Sequence, residues 1–351
     1  AAIPPAAGAP PPEAPPTAAS VPSTAALGAP ATASASPTSG AQPTASVPPA
    51  VPSPATAPAQ VQPPRLEVGQ VFAGFPLERL LGEGGFGVVF ATRTPKGQPG
   101  ALKILTDPEA DGGLLQARAR FLREVRLMRA LAHPAVPAVL ADGEEAGYPY
   151  VVQELIEGQD LEDLFAARGR LELGEVIEIL RQVVPALDHA HCYGVVHCDL
   201  KPANVRLRHD GKAYLLDLGV AKLRQGSALG GRSVLTMEGG VIGTFAYLPP
   251  EFGRGRKQVT PMADVYSLGV MVYQLLAGAL PFPGDDPREL IRLHQGAQAQ
   301  DLAELAPHLP AEVCAAVMRC LAKEPRARFP TAGSFLAALD RAAQPRAAAA
   351  A

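Results

Sequence analysis

An ordered set of short motifs constrains the fold of this chain more than any other feature of its sequence. A glycine-rich turn lies between two apolar stretches, a lysine follows in the next apolar stretch, and three more motifs come in the second half. In chain order the motifs are Gly82-Glu-Gly84-Gly85-Phe-Gly87, Ala101-Leu-Lys103, His197-Cys-Asp199-Leu-Lys201-Pro-Ala-Asn204, Asp217-Leu-Gly219 and Pro249-Pro-Glu251. A nucleotide phosphate needs a backbone cradle, a cation and a divalent metal, and a phosphoryl acceptor needs a positioned carboxylate. The chain offers each of these parts, in one order.

The first 64 residues differ in composition from the rest of the chain. Residues 1–64 consist almost entirely of Ala, Pro, Ser, Thr, Val, Gly and Gln, and Glu13 is their only charged side chain. Such a stretch cannot bury enough apolar surface to offset the entropy of ordering its backbone. We therefore predict a disordered tail or linker with polyproline II character over 1–64. The remainder, 65–345, is near the size at which one core divides into two.

Charge and cysteine content exclude some classes of protein. The formal net charge of −3 gives no basic footprint for nucleic acid. Four cysteines, no secretory leader and a large core favour a reducing compartment, so we expect a cytoplasmic protein.

The run Val265 to Phe282 approaches membrane-spanning length, but Ser267 and Gln274 lie within it. We therefore predict a buried helix there and no membrane segment in this chain.

Hydrophobic periodicity changes near residue 158. Strands and tight turns are predicted over 71–106, at Val136–Leu140 and at Tyr150–Gln153, with one helix over 114–131 that ends before His133-Pro134. Beyond Gly158 the pattern is mainly helical. It includes a long amphipathic helix from Leu173 to Tyr193 with Pro185 inside it, and two short strands around Asp210-Gly211.

The motifs and their order resemble the eukaryotic-type protein kinases, and the bacterial Ser/Thr protein kinases most closely. The resemblance covers roughly 76–341. It implies an α+β, bilobal fold with a small antiparallel β N-lobe that holds one main helix and a larger, mostly helical C-lobe. The implied limits are 65–153 for the N-lobe, 154–158 for the hinge and 159–345 for the C-lobe.

The glycine-rich turn supports this resemblance by its context. Gly82, Gly84 and Gly87 let the backbone approach phosphate oxygens without a Cβ clash. A bare G-x-G-x-x-G also occurs in dinucleotide-binding folds, where a helix follows it at once. Here Val88-Val89 continues as a strand, which favours the kinase version.

The resemblance assigns roles to the polar residues. Lys103 would hold the α and β phosphates and pair with Glu124, since an unpaired ammonium on an apolar strand is costly. Asp199 would accept or orient the acceptor hydroxyl proton, and Lys201 would steady the transferred phosphoryl group. The remaining implied roles are metal binding by Asn204 and Asp217 with Mg²⁺ or Mn²⁺, contact of Thr244 with Asp199 and Lys201, a buried Glu251–Arg328 ion pair, and anchoring of the catalytic loop by Asp264.

The base of ATP would lie at the connector between the lobes. Glu154 and Ile156 would offer backbone groups to the base edge, and Asp160 would meet the ribose hydroxyls. The other residues implied around the nucleotide are Val89, Ala101, Arg206 and, guarding the back pocket, Gln153.

Three positions depart from the family pattern. Cys198 stands where an arginine usually receives a phosphate of the activation loop, so we expect activity to depend little on loop phosphorylation. Leu218 replaces a phenylalanine and is expected to be benign. Arg206 falls where an apolar residue usually lies beneath adenine. A trapped guanidinium there would be costly, so its stem is expected to line the base while its head reaches solvent or an acid, with weakened ATP binding.

The leading interpretation is an ATP- and Mg²⁺-dependent protein Ser/Thr kinase, with Ser/Thr acceptors in protein substrates and possible autophosphorylation. The alternative is a pseudokinase scaffold that binds nucleotide or partners without phosphotransfer. A small-molecule kinase of related fold is a third possibility. The segment Gly243 to Glu251 speaks against it, because it resembles the part that shapes a groove for an extended peptide.

Overall fold

The computed structural model describes residues 66–84, 87–106, 121, 125–217, 242–254 and 260–344. The described residues all fall within one compact unit, Val61–Ala351. The predicted tail at 1–64 lies outside them.

An antiparallel sheet forms the N-lobe. Its strands follow the spatial order β3-β4-β5-β7-β6. Their bounds, with the preceding hairpin β1–β2, are β1 Val71–Phe72, β2 Phe75–Pro76, β3 Arg79–Gly84, β4 Gly87–Arg93, β5 Pro99–Ile104, β6 Val139–Glu145 and β7 Tyr148–Glu154. Side chains alternate between two faces of a strand. On one face Phe90, Leu102 and Ile104 enter the N-lobe core, and the other face is left for the cleft.

The segment before β6 corrects one sequence-based prediction. The strand expected at Val136–Leu140 begins only at Val139. The amide of Val136 donates to the carbonyl of His133 and closes a turn (2.9 Å), and Pro137 has no N–H to pair with a neighbouring strand. Of the predicted helix at 114–131, residues 121 and 125–130 are described and helical, residue 131 lies in a turn, and the helix ends before His133 as expected.

A second, three-stranded sheet connects the hinge with the C-lobe. Its order is β10-β9-β8, with β8 at Gln159–Asp160, β9 at Val205–Leu207 and β10 at Ala213–Leu215. The strands β9 and β10 flank the predicted turn at Asp210-Gly211. Because β8 directly follows the hinge, its pairing with β9 sets the hinge against the floor of the C-lobe.

Helices make up most of the C-lobe. Their bounds are α1 Leu161–Arg168, α2 Leu173–Cys192, α3 Pro261–Ala277, α4 Pro287–Gly296, α5 Leu302–Leu305, α6 Ala311–Cys320 and α7 Ala332–Ala343. The long helix α2 contains Pro185, as predicted, and starts with a capping box between Glu172 and Glu175. Its apolar face packs in the main core.

The helix α3 lies at the centre of the C-lobe. Almost all of its side chains from Ala263 to Leu276 are buried, which explains the apolar run noted in the sequence. A Cβ on Gly269 would lie 2.3 Å from Cβ of Cys320, so glycine permits the close approach of α3 and α6. Within the described residues, none of the helices combines the length and apolarity that a bilayer crossing requires.

Candidate active site

One buried carboxylate anchors the loop that follows α2. Asp264, in the first turn of α3, accepts hydrogen bonds from the backbone amides of His197 (2.7 Å) and Cys198 (2.8 Å). Cys198 has a φ of 62°, which is uncommon for a residue other than glycine. The two bonds hold the loop in this conformation, and they are the contact that the sequence analysis predicted for Asp264.

His191 joins the same carboxylate and was not predicted. Its Nε2 lies 2.7 Å from Asp264, and its Nδ1 lies 3.8 Å from Asp188. Burial alone would lower the pKa of His191, but the carboxylates of Asp188 and Asp264 outweigh burial and raise this pKa to about 9. The one sequence signal for this role is a polar residue in the last turn of α2.

His197 connects the two loops that carry the predicted catalytic and metal-binding carboxylates. Its Nδ1 accepts from the amide of Asp199 (3.3 Å), so its Nε2 carries the proton and donates to the carbonyl of Leu216 (3.0 Å). The amide of Leu216 in turn donates to the carbonyl of Asn204 (2.8 Å). Asp217 is therefore held next to the loop that carries Asp199.

Asp199, Lys201 and Asn204 lie together at the end of this loop. A short 3-10 turn, Pro202–Asn204, folds the chain back on itself. The Nζ atom of Lys201 lies 3.5 Å from the carboxylate of Asp199. The side-chain nitrogen of Asn204, Nδ2, donates to the backbone carbonyl of Asp199 (2.7 Å). The Asp199 and Lys201 side chains are partly exposed, so both can reach a bound substrate.

An ion pair between Lys103 and Asp217 crosses the cleft between the lobes. Nζ of Lys103 lies 3.5 Å from Oδ1 of Asp217. The positive charge of Lys103 is the main reason that the pKa of Asp217 is lowered. Asp217 has a φ of 51°, again unusual for a non-glycine residue. The carboxylate is thus ionised and turned toward the N-lobe.

The cleft face of the N-lobe sheet carries the residues predicted around the nucleotide. Val89 pairs directly with Lys103 across β4 and β5, and Ala101 lies two residues before Lys103, so all three share a face. Gly84 and Gly87 are paired at the tip of the β3–β4 hairpin, and Gly82 precedes them in β3. Gly87 has a φ of 147°, and a Cβ there would lie 2.0 Å from the Ile104 carbonyl oxygen, so this position requires glycine.

Arg206 holds the hinge. Its Nε donates to the carbonyl of Ile156 (3.2 Å), and its Nη2 donates to the carbonyl of Gly158 (2.6 Å). Its Nη1 lies 3.7 Å from the carboxylate of Asp160. The guanidinium head therefore reaches an acid, as expected. Because it also has two carbonyl partners, no unpaired charge is buried, and the reason for expecting weak ATP binding is removed.

The segment 242–251 is fixed to the C-lobe core. The hydroxyl of Tyr247 donates to Gln274 (2.6 Å), and the hydroxyl of Ser267 donates to the Tyr247 carbonyl (2.8 Å). Glu251 and Arg328 form the predicted buried pair through two hydrogen bonds of 2.8 and 2.9 Å. The contacts hold the end of this segment against α3.

Some sequence-based predictions fall outside the described residues. They are Glu124 and its pairing with Lys103, Gly85, Leu218 and Gly219, the loop at 218–241, and the side chain of Thr244. These roles stay predictions.

Comparison with known proteins assigns a family. Residues 75–338 match the protein kinase domain model. The serine/threonine-protein kinase PknH of Mycobacterium bovis is 33% identical over 276 residues, or 78% of this chain and 45% of PknH. PknJ of Mycobacterium bovis is 35% identical over 279 residues, or 77% and 45%. PknD of Mycobacterium tuberculosis is 34% identical over 271 residues, or 77% and 40%. The chain belongs to the protein kinase family, and these relatives are bacterial Ser/Thr kinases, which confirms the predicted resemblance.

A solved structure supports the same assignment. The crystal structure of Rad53 1-466 in complex with AMP-PNP matches with a TM-score of 0.59 and 25% identity, and the match covers 75% of this chain and 64% of that chain. It confirms the bilobal α+β fold. The chain spans less than half the length of the curated relatives described above.

Proposed function

We propose that this chain transfers the γ-phosphoryl group of ATP to serine or threonine hydroxyls of protein substrates. The observation that carries the proposal is the cluster of Asp199, Lys201 and Asn204, which the Asp264-anchored loop holds beside Asp217. Catalysis of this kind rests on positioning and on stabilisation of charge. The cluster supplies both in one place.

Each residue of the cluster has a distinct task in this proposal. Asp199 accepts the proton of the Ser or Thr hydroxyl while the hydroxyl oxygen attacks the γ-phosphorus of ATP. The bond from the γ-phosphorus to the β,γ-bridging oxygen then breaks. Lys201, 3.5 Å from Asp199, adds positive charge where the transferred group passes. The segment that ends at Glu251 shapes the site for an extended protein substrate, and the chain's own Ser and Thr residues are possible acceptors.

The donor set suits a magnesium or manganese ion. The side-chain nitrogen of Asn204, Nδ2, donates to the backbone carbonyl of Asp199. The side-chain oxygen of Asn204, Oδ1, is therefore the atom available to a cation. Asp217 adds an ionised carboxylate. Oxygen ligands of this kind are those that hard divalent cations prefer. When bound, the ion neutralises charge on the phosphates of ATP.

The nucleotide itself is proposed to lie against the cleft face. The glycine-rich hairpin covers its phosphates, Lys103 contacts the α and β phosphates, and Val89 and Ala101 line the base. Glu154 and Ile156 offer backbone groups to the base edge, and Asp160 accepts from the ribose. The face shared by Val89, Ala101 and Lys103 supports this arrangement.

We further infer a cytoplasmic setting for this chain. None of the four cysteines forms a disulfide, which fits the reducing cytoplasm. The pseudokinase alternative gains no support, because Lys103, Asp199, Asn204 and Asp217 all lie around one cleft.

The variant Asp199→Asn tests the proposal. We expect the rate of phosphate transfer from labelled ATP to a generic basic protein to fall about 10²–10⁴-fold, the usual contribution of a general base, while ATP still binds. Asp210→Asn is the matched control, because Asp210 lies on an exposed turn and pairs with Arg208. Its activity should equal that of the parent.

Phosphosite mapping after incubation with Mg-ATP completes the test. Phosphoserine or phosphothreonine should appear with the parent and with Asp210→Asn but not with Asp199→Asn. Equal labelling by Asp199→Asn, or no labelling by a parent chain that binds ATP, would contradict the proposed phosphotransfer.

A further inference from the structure

We propose that Arg206 is a positioning residue that makes the nucleotide site select a ribose over a 2′-deoxyribose. It does so by seating the hinge on β9 and orienting Asp160 toward the sugar. The inference rests on the proposed function, because it places the ribose of ATP at Asp160. It goes further by assigning the selection of the sugar to a side chain that the family pattern does not supply.

The position of Arg206 in the sheet is fixed from both sides. Its backbone lies in β9, opposite Asp160 of β8 and Tyr214 of β10. The side chain of Arg206 is the part that can form contacts outside the sheet. It extends to the hinge, where two of its nitrogens donate to the carbonyls of Ile156 and Gly158 at 3.2 and 2.6 Å. A planar guanidinium can hold two carbonyls at once, which a lysine ammonium cannot do in this fixed geometry.

The hinge approaches β9 so closely that its last residue must be glycine. Gly158 has a φ of 146°, and a Cβ there would lie 2.0 Å from the carbonyl oxygen of Leu207. The guanidinium of Arg206 bonds this same residue. The end of the hinge is therefore held by backbone contact and by a charge-assisted hydrogen bond, two residues before the carboxylate that is to meet the sugar.

Asp160 is held from two directions. One oxygen, Oδ1, caps α1 by accepting from the amide of Asp163 at 2.8 Å. The other, Oδ2, faces Nη1 of Arg206 at 3.7 Å, which is electrostatic attraction at longer range than a hydrogen bond. The Asp160 side chain is still 23% exposed. Its second oxygen can therefore accept from a sugar hydroxyl in an orientation that Arg206 sets.

A purely structural role for Arg206 makes a different prediction. If Arg206 only ties the hinge to the C-lobe, its loss weakens ATP and 2′-deoxy-ATP by the same factor. If Arg206 acts through Asp160, its loss weakens ATP far more than 2′-deoxy-ATP. The ratio of the two dissociation constants therefore separates the two roles.

The experiment measures binding of Mg-ATP and Mg-2′-deoxy-ATP to the full chain by calorimetry, with the KM of each nucleotide as a second readout. A charge-assisted hydrogen bond to the 2′-hydroxyl predicts that the parent prefers ATP by roughly 10-fold or more. Arg206→Met should lower this preference to about 2-fold or less. Asp160→Asn should do the same, and the double variant should lower it no further.

Arg208→Met is the matched control. Arg208 directly follows the last residue of β9, two residues after Arg206, but it pairs with the exposed Asp210 and not with the hinge. Its preference for ATP should equal that of the parent. Arg206→Lys is the second variant in case Arg206→Met does not fold, as judged by its unfolding curve. Because lysine lacks the planar guanidinium that holds two carbonyls at once, the preference of Arg206→Lys for ATP over 2′-deoxy-ATP should also fall.

The outcomes separate this inference from the proposed function. An unchanged preference in folded Arg206→Met or Arg206→Lys overturns the inference. So does an equal loss for both nucleotides, or a parent that does not distinguish them. A parent that binds neither nucleotide overturns the proposed function as well.

Discussion

At the scale of single residues, Arg328 and Glu251 form an ion pair whose two side chains are both buried in the C-lobe. Arg328 is fully buried and donates to both oxygens of Glu251, and it also donates to the carbonyls of Met262, Ala322 and Lys323. A buried ion pair is tolerated only when its remaining hydrogen-bonding groups are satisfied. Here the neighbouring carbonyls meet that condition.

Removing one partner of this pair should be strongly destabilising. We expect Arg328→Met to lower the free energy of unfolding by about 3–5 kcal/mol, because Glu251 is then left buried and without its partner. Chemical denaturation measures this change.

Two further variants make the test specific. Arg168→Met removes half of an exposed pair with Glu175, and solvent screening should make its effect much smaller. The double change Glu251→Leu with Arg328→Met should recover part of the loss, since no charge remains unpaired. A small effect of Arg328→Met alone would show that the pair is not buried in solution.

Residue identities could be predicted from the sequence more fully than their partners. Asp264 and the Glu251–Arg328 pair were predicted because each belongs to a motif. Arg206 was placed near the base by its distance from Asn204, but its partners are backbone carbonyls, which have no signature in the sequence. His191 was missed because one polar residue on a long amphipathic helix does not reveal which carboxylate lies opposite.

At the scale of elements, hydrophobic patterns predicted the buried elements best. The helix α3 and the strands around Asp210-Gly211 were predicted because they are apolar or bounded by turn residues. The strand β6 was misplaced. It lies at the edge of the sheet, and its last two residues, Glu144 and Glu145, are charged and exposed. Its hydrogen bonding to β7 was therefore not visible as a hydrophobic pattern.

The segment 218–241, which lies outside the described residues, gives a prediction at this scale. Cys198 supplies no cation where the family has an arginine, and its backbone amide is already held by Asp264. We expect simultaneous alanine replacement of Ser227, Ser233 and Thr236 to leave the rate of phosphate transfer within about threefold of the parent. Initial rates with labelled ATP measure this, and a hundredfold drop would refute the idea.

At the scale of the whole molecule, one carboxylate connects α2, α3 and the catalytic loop. Asp264 accepts from two amides of the loop and contacts His191 of α2. The charged form of His191 is favoured in the folded state, since its pKa is raised from 6.5 to about 9. Folding stability is therefore linked to the protonation of this histidine.

The sign of this linkage follows from the raised pKa. The contribution of His191 to stability is fully present below about pH 6.5 and is lost as the pH rises through about 9. We expect His191→Gln to lower the free energy of unfolding by roughly 3 kcal/mol at pH 6, with a difference from the parent that shrinks toward pH 9.5.

Chemical denaturation of the parent and of His191→Gln at a series of pH values tests this linkage. His308→Gln, at an exposed histidine, reports what a solvated imidazole contributes over the same range. A difference between His191→Gln and the parent that is constant with pH, or that grows above pH 9, would rule out the linkage.

The complete burial of Asp264 has a consequence for surveys of random variants. Its carboxylate cannot touch ATP or an acceptor protein. It nevertheless accepts hydrogen bonds from the backbone amides of His197 and Cys198, which directly precede Asp199. A screen that scores only loss of activity would rank Asp264 beside the residues proposed to contact the phosphoryl group. Sensitivity to mutation in this protein thus marks the parts that aim the reacting groups as well as the groups themselves.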